Sequence, residues 1–97
     1  MAPEPAVIEV EGPLSPELIG RLCERVRALL THTGASVVVC DVNRVAKLDA
    51  IAVDALARMQ LTASREGGAI VVRHACPGLR DLLDLAGLTD VIALTGE

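Results

Sequence analysis

The segment at residues 35–42, Ala-Ser-Val-Val-Val-Cys-Asp-Val, is a nearly continuous apolar run that is rich in β-branched side chains. A run of this length and composition is typical of a strand in a parallel sheet, where helices cover both faces. We therefore predict a strand here, with both of its faces buried. Residues 43–48 follow it as a connecting loop.

A helix is predicted before this strand. Ser15, Pro16 and Glu17 provide an N-cap side chain, a proline at the first helical position and an acid in the first turn. Gly34 is expected to end the helix. The apolar residues recur at helical spacing and form one stripe. They are Leu18, Ile19, Leu22, Cys23, Val26, Leu29 and Leu30.

A second helix is predicted after the loop. Asp49 is a suitable N-cap, the helix should run to about Arg65, and Gly67-Gly68 should end it. Gly67-Gly68 follows a helix and precedes a strand, which is the reverse of the order in a nucleotide-binding loop. The residues expected to face the core share helical spacing. They are Ala52, Ala55, Leu56, Met59 and Ala63.

The rest of the chain continues the alternation. Strands are predicted at residues 6–10, 69–73 and 91–93, and the first is followed by a turn at 11–13. Pro77 should open a third helix that Gly87 caps, with a core stripe of Leu79, Leu82, Leu83 and Ala86. The order β-α-β-α-β-α-β predicts an α/β domain with a four-stranded, mostly parallel sheet and three helices. We expect one domain at residues 6–94, after a flexible lead-in at 1–5.

Composition narrows the possible functions. The chain has 97 residues, 52% of them hydrophobic, no aromatic side chain and a formal net charge of −4. Nucleic acid is not an expected ligand, because there are no rings for base stacking and no basic stripe. No apolar run approaches the roughly 20 residues that span a bilayer, and the N-terminus does not resemble a signal peptide. Three unpaired cysteines suggest reduced thiols, and we expect a cytoplasmic protein.

Several short motifs occur in a recognisable order. They are Val-Val-Val-Cys-Asp-Val-Asn-Arg-Val at 37–45, Leu48-Asp49, a helix, Gly67-Gly68, a strand, and Leu-Leu-Asp-Leu-Ala-Gly-Leu at 82–88. This arrangement resembles the STAS domain family, and most of all its anti-sigma factor antagonists, over residues 6–94. The resemblance implies a single STAS-like domain. It also implies a non-catalytic role in regulating transcription, through binding an anti-sigma factor or a related bacterial protein.

The sequence departs from the family pattern at the start of the second helix. Family members there carry Asp-Ser-Ser-Gly or Asp-Thr-Ser-Gly, in which a partner kinase phosphorylates the residue after Asp. This chain has Asp49-Ala50-Ile51-Ala52. Because Ala50 has no hydroxyl, the usual phosphorylation switch cannot operate at this position. Many members also have one more strand and one more helix at the ends. If these are missing here, a sheet edge or an apolar face is left open, and a homodimer or another protein is expected to cover it.

The expected docking surface is the start and exposed face of the second helix. Its candidate residues lie at the helix start or away from the core stripe. They are Asp49, Ala50, Ile51, Val53, Asp54, Ala57, Arg58 and Leu61. Leu61 is an apolar anchor among charges, and Asp41, Asn43 and Lys47 are expected as peripheral contacts. The alternatives are structural: Asp49 as a helix cap, Asp54–Arg58 as an ordinary i, i+4 pair, and Leu61 as an isolated surface leucine.

The two alternative classes of function are an accessory subunit of a transport system and an enzyme. STAS domains resembling this one also serve as accessory subunits of transport systems. Free-standing examples bind the ATPase of bacterial ABC lipid transporters, a role that needs no serine at position 50. For an enzyme, His74 and Cys76 are the nearest approach to a base and nucleophile, but no third orienting group accompanies them. The cysteines and histidines lack metal-site spacing, so we expect neither metal nor cofactor.

Overall fold

The computed structural model describes residues 6–11, 13–44 and 50–94. Strands and helices alternate along this part of the chain. In chain order they are β1 (Ala6–Glu11), α1 (Pro16–His32), β2 (Val37–Arg44), α2 (Ala50–Arg65), β3 (Ala69–Arg73), α3 (Pro77–Leu85) and β4 (Ala93–Leu94). The predicted β-α-β-α-β-α-β order with three helices is confirmed.

The four strands form one parallel sheet in the order β1-β2-β3-β4. Each strand therefore pairs with its neighbour in the sequence. In the register of the sheet, Val39 lies between Val7 on β1 and Val71 on β3, and Val71 is paired with Ala93 on β4. Each helical connection passes over the same face of the sheet, because the crossovers all have the same hand and all advance in the same direction across the sheet.

All three helices consequently pack on one face of the sheet. Their buried side chains join those of the strands in a single core, in which Ile8, Val38, Met59, Val72 and Leu83 are fully buried. The whole predicted stripe of α2 is buried, as expected from its spacing. Among the apolar residues predicted for α1, Ile19, Leu22, Val26 and Leu30 are buried and the others are half-buried.

The prediction that β2 is covered on both faces is wrong. Val38, Cys40 and Val42 are buried, but the alternating Val37, Val39 and Asp41 are only half-buried. The reason is topological, because a sheet whose strands follow chain order places every helix on one side. A valine-rich sequence does not reveal this, since it is compatible with either arrangement.

Helix ends follow local rules. The Ser15 hydroxyl accepts a hydrogen bond from the Leu18 amide at 3.2 Å, with Pro16 in the first turn, as predicted. Gly34 and Gly87 have φ angles of 74° and 73°, the left-handed conformation that commonly ends a helix. The predicted cap Asp49 lies outside the described residues.

Several strand boundaries and one core assignment differ from the predictions. Glu11 belongs to β1 and not to the predicted turn, and β2 begins at Val37, two residues later than predicted. The predicted loop begins too early, because Asn43 and Arg44 still belong to β2. The last strand begins two residues later than predicted, at Ala93, because the Val91 and Ile92 amides donate to the Leu88 carbonyl and hold a turn. Ala86 was expected in the core but is exposed at the end of α3.

Candidate partner-docking site

Helices α1 and α2 pack side by side and leave a groove between them. The groove encloses about 400 Å³. Both helices contribute residues to it. Those from α1 are Pro16, Ile19, Gly20 and Cys23, and those from α2 are Ile51, Asp54, Arg58, Leu61, Thr62 and Arg65. We refer to this feature as the α1–α2 groove.

The structure brings together four of the eight predicted docking residues. Ile51, Asp54, Arg58 and Leu61 lie one turn apart on one side of α2, and all four line the α1–α2 groove. Leu61 is 52% exposed, which is unusual for a large apolar side chain of this protein. The side of α2 that lines the groove therefore presents apolar side chains interspersed with charged ones.

The other predicted docking residues lie elsewhere. Val53 is half-buried and packs against the core, and Ala57 is half-buried outside the groove. Ala50 is exposed as the first residue of α2. Asp49 and Lys47 lie outside the described residues. The exposed face of α2 is thus narrower than predicted, because its flank at Val53 is used for packing.

The charges in the groove are partly paired. The Arg58 Nε atom donates to Asp54 Oδ2 at 2.8 Å, an i, i+4 ion pair with both side chains exposed. A pair of this kind adds only a few tenths of a kcal/mol to helix stability. Arg65 lies one turn further along, so the described residues that line the groove include two arginines and one aspartate. These described residues carry a net positive charge on a chain whose formal net charge is −4.

Sequence reasoning missed the contribution of α1 to this site. Gly20 is the informative residue, because it lies in the interior of α1, where glycine is about 1 kcal/mol less favourable than alanine. A β-carbon at this position would meet nothing within 4 Å, so packing does not require glycine here. An unneeded glycine inside a regular helical pattern is the signal that was available in the sequence.

A second polar cluster lies at the carboxyl ends of β2 and β3. Asp41 accepts from Arg73 Nη2 at 3.0 Å and from the Asn43 amide at 3.0 Å, and His74 Nδ1 lies 3.1 Å from its carboxylate. The hydrogen bond from the Asn43 backbone amide lowers the pKa of Asp41, and so do the His74 and Arg73 side chains. Together they outweigh desolvation, which raises this pKa, and bring it to about 2. The cluster ties two neighbouring strands together.

The three cysteines occupy different environments. Cys40 is fully buried, and burial raises the pKa of its thiol to about 12. Cys23 is half-buried and lines the α1–α2 groove. Cys76 is exposed at the N-cap of α3, where its side chain makes no capping hydrogen bond. The sequence-based assignment of Cys40 to a buried strand is confirmed.

Within residues 6–11, 13–44 and 50–94, no three histidine, cysteine or acidic side chains come close enough to hold a metal ion. Over the same residues, no helix combines the length and the apolar character needed to cross a bilayer.

Comparison with known proteins gives a family and a fold. The family model described as "Mlab, STAS domain" matches residues 1–95. No curated protein matches the sequence significantly. Among solved structures, the unphosphorylated anti-sigma factor antagonist SpoIIAA superposes with a TM-score of 0.70 at 14% identity, covering 100% of this chain and 85% of that one.

Two further structures share the fold. The phosphorylated form of the Bacillus cell fate determinant SpoIIAA gives a TM-score of 0.64 at 14% identity, covering 94% of this chain and 82% of that one. The protein TM1081 gives 0.66 at 12% identity, covering 92% and 71% respectively. The ordered motifs, the sheet with its three helices and the family match agree, and the chain belongs to the STAS domain family.

Proposed function

We propose that this STAS domain is a non-catalytic regulatory module that docks on another protein through the α1–α2 groove and the start of α2. Its role would resemble that of an anti-sigma factor antagonist. The single observation that carries the proposal is the groove itself. It unites exposed Leu61 with Ile51, Asp54 and Arg58 at the family's motif helix.

The composition of the groove suits protein recognition. Burial of a leucine side chain contributes about 1.5–3 kcal/mol, so Leu61 can act as an anchor for a partner. Arginine is enriched at protein interfaces and at their energetic hot spots, and Arg58 and Arg65 flank the apolar wall. Acidic side chains on the partner would complement this site.

The proposed module is not switched by phosphorylation at the usual position. Ala50 is the first residue of α2 and is exposed, so a kinase would meet a methyl group in place of a hydroxyl. Binding would therefore be controlled by the amounts of the two proteins or by the partner's own state. Replacing Ala50 with serine should leave the fold intact, because position 50 is exposed to solvent.

Affinity capture from a lysate of the source cells tests this proposal. Wild type and the Leu61→Asp variant serve as baits, and Leu85→Asp is the matched control, because Leu85 is 85% exposed and does not line the groove. We expect an anti-sigma factor to be captured by wild type and by Leu85→Asp, with a loss of at least ~10-fold for Leu61→Asp. Equal capture by all three baits would rule out the groove as the docking surface.

A second candidate function is an accessory subunit of a transport system that binds an ABC lipid-transport ATPase. The observation that favours it is the family model, which is described by the name Mlab. The absence of a hydroxyl at Ala50 agrees with either candidate. The same capture experiment distinguishes them. If wild type captures an ABC ATPase and Leu61→Asp does not, the groove is still the docking surface, but the partner is the ATPase and not an anti-sigma factor.

A further inference from the structure

The sheet has a second face that no helix covers within the described part of the chain. Its residues alternate with the core residues of the strands, and we call it the open sheet face. It consists of Val7, Glu9, Val37, Val39, Asp41, Ala69, Val71, Arg73 and Ala93. Val7 is 45% exposed, and Val39 and Val71 at the centre are half-buried. The apolar side chains of this face are contiguous, and contiguous exposed apolar patches are common at interaction surfaces.

The strand register arranges this face in three rows. The longest row runs Val7–Val39–Val71–Ala93 across all four strands. A shorter apolar row, Val37–Ala69, lies on its amino-terminal side. The third row, on the carboxyl-terminal side, is Glu9–Asp41–Arg73 and is charged throughout. The face thus has an apolar part bounded at one end by a row of charges.

We propose that the open sheet face is a homodimer interface, in which two copies pack sheet against sheet about a twofold axis parallel to the strands, between β2 and β3. This axis lays β1 of one copy over β4 of the other. Val7 then faces Ala93 of the second copy, and Val37 faces Ala69 of the second copy. At these two positions a large side chain meets a small one, and at the centre Val39 faces Val71 of the second copy.

The charged row selects the same axis. A twofold axis parallel to the strands lays one charged row on the other, so Asp41 meets Arg73 of the second copy. An axis perpendicular to the strands would instead lay these charges on Val37 and Ala69. That arrangement would bury the Asp41–Arg73 ion pair and the Glu9 carboxylate against apolar side chains, where no opposite charge of the second copy offsets the loss of hydration. The twofold axis parallel to the strands is therefore the favoured one.

The size of the face sets the strength of the dimer. Four strands spaced about 4.8 Å apart, with about five residues each rising roughly 3.3 Å, give a flat footprint of roughly 300 Å² per copy. Stable complexes bury about 800 Å² of accessible surface per partner. The dimer is therefore weak, with a mass that rises with concentration. Because this face is separate from the α1–α2 groove, the inference does not depend on the proposed docking function.

Sedimentation equilibrium from about 10 μM to 1 mM tests whether the dimer forms. We expect the weight-average mass of wild type to approach that of a dimer, and Val71→Lys to remain a monomer. Val91→Lys is the control, because Val91 is 57% exposed and lies off the open sheet face. A monomeric wild type overturns the proposal. If Val71→Lys then also melts earlier, a segment of the same chain is what covers the face.

Cysteine cross-linking tests the register. In a Cys76→Ser background, chains carrying Val7→Cys are mixed with chains carrying Ala93→Cys and oxidised. Positions 7 and 93 are three strand spacings apart within one chain, roughly 14 Å, too far for a disulfide. We expect cross-linked dimers in the mixture and few with either variant alone. Absence of cross-links in the mixture, or equal cross-linking of Val7→Cys alone, overturns the proposed axis.

Discussion

The imidazole of His74 and the carboxylate of Asp41, 33 residues apart in the chain, are in direct contact, with Nδ1 3.1 Å from both carboxylate oxygens. His74 has a φ of 63°, a left-handed conformation that few residues other than glycine adopt. The backbone thus turns sharply after β3 and returns the imidazole towards β2. Together with Arg73, this contact anchors the carboxyl ends of the two central strands.

The Asp41 cluster predicts a pH-dependent stability. The native pKa of Asp41 is about 2 against an ordinary value of 3.8, so its ionised form stabilises the fold above pH 4. That contribution is lost as the pH falls through about 2. We expect Asp41→Asn to lower the free energy of unfolding at pH 7 by about 1.5 kcal/mol, the low end for hydrogen bonds to a charged group. Urea denaturation at pH 7 and pH 2.5 measures the difference in free energy of unfolding between wild type and Asp41→Asn. This difference should be smaller at pH 2.5.

The matched control for this variant is Asp54→Asn. Asp54 is exposed and forms only an i, i+4 pair with Arg58. Such a pair contributes about 0.3–0.5 kcal/mol, so its loss should have little effect on unfolding. An Asp41→Asn variant as stable as Asp54→Asn at neutral pH would show that the cluster does not stabilise the sheet.

Gly20→Ala is expected to separate stability from binding. The added methyl group meets no atom within 4 Å and raises helix propensity, so the free energy of unfolding should increase by about 0.5–1 kcal/mol. The same methyl group occupies part of the α1–α2 groove and should reduce capture of the partner. A variant that is more stable and binds as wild type would place the interface away from α1.

Gly68→Ala should have the opposite effect on stability. A β-carbon here would lie 2.8 Å from Leu30 Cδ2 and 2.8 Å from the Ser36 carbonyl oxygen. The Ser36 oxygen cannot move freely, because it accepts a hydrogen bond from the Ala69 amide at the start of β3. We expect destabilisation by about 1–3 kcal/mol, measured by urea denaturation beside Gly20→Ala. A neutral result would mean that β3 can shift away from β2 at little cost.

The thiols should react in order of exposure. Cys76 is exposed, whereas Cys40 is fully buried with a pKa raised to about 12, so its thiolate is scarce as well as inaccessible. Titration with a thiol reagent at pH 8 should modify Cys76 quickly and Cys40 only after denaturation. Cys76→Ser removes the fast phase if this assignment is correct. Rapid modification of Cys40 in the native protein would show that the core opens readily.

The sequence was most informative where local chemistry decides the structure. The spacing of Ala52, Leu56 and Met59 predicted the buried stripe of α2, and Ser15 predicted the start of α1, because both depend on residues within one or two turns. The boundary of β4 was misplaced because the turn at Leu88 uses backbone hydrogen bonds that leave no mark on residue type.

The candidate site was only half predictable for a related reason. Leu61 stood out as an apolar residue on a polar helix face, and Arg58 follows from the same helix geometry. The α1 wall of the groove depends on how two helices separated by a strand pack together. Likewise, the valines of β2 could not reveal that one face of the sheet is open, since that depends on the order of the strands.

The order of the strands also bears on how the chain assembles. Because β1, β2, β3 and β4 are neighbours in both sequence and sheet, each pairing closes a loop of only one helix and its turns. Closing a short loop costs less entropy than joining distant segments, so the native contacts can form progressively from one end. We expect strand β4, which has two described residues at the edge of the sheet, to exchange its amide hydrogens early.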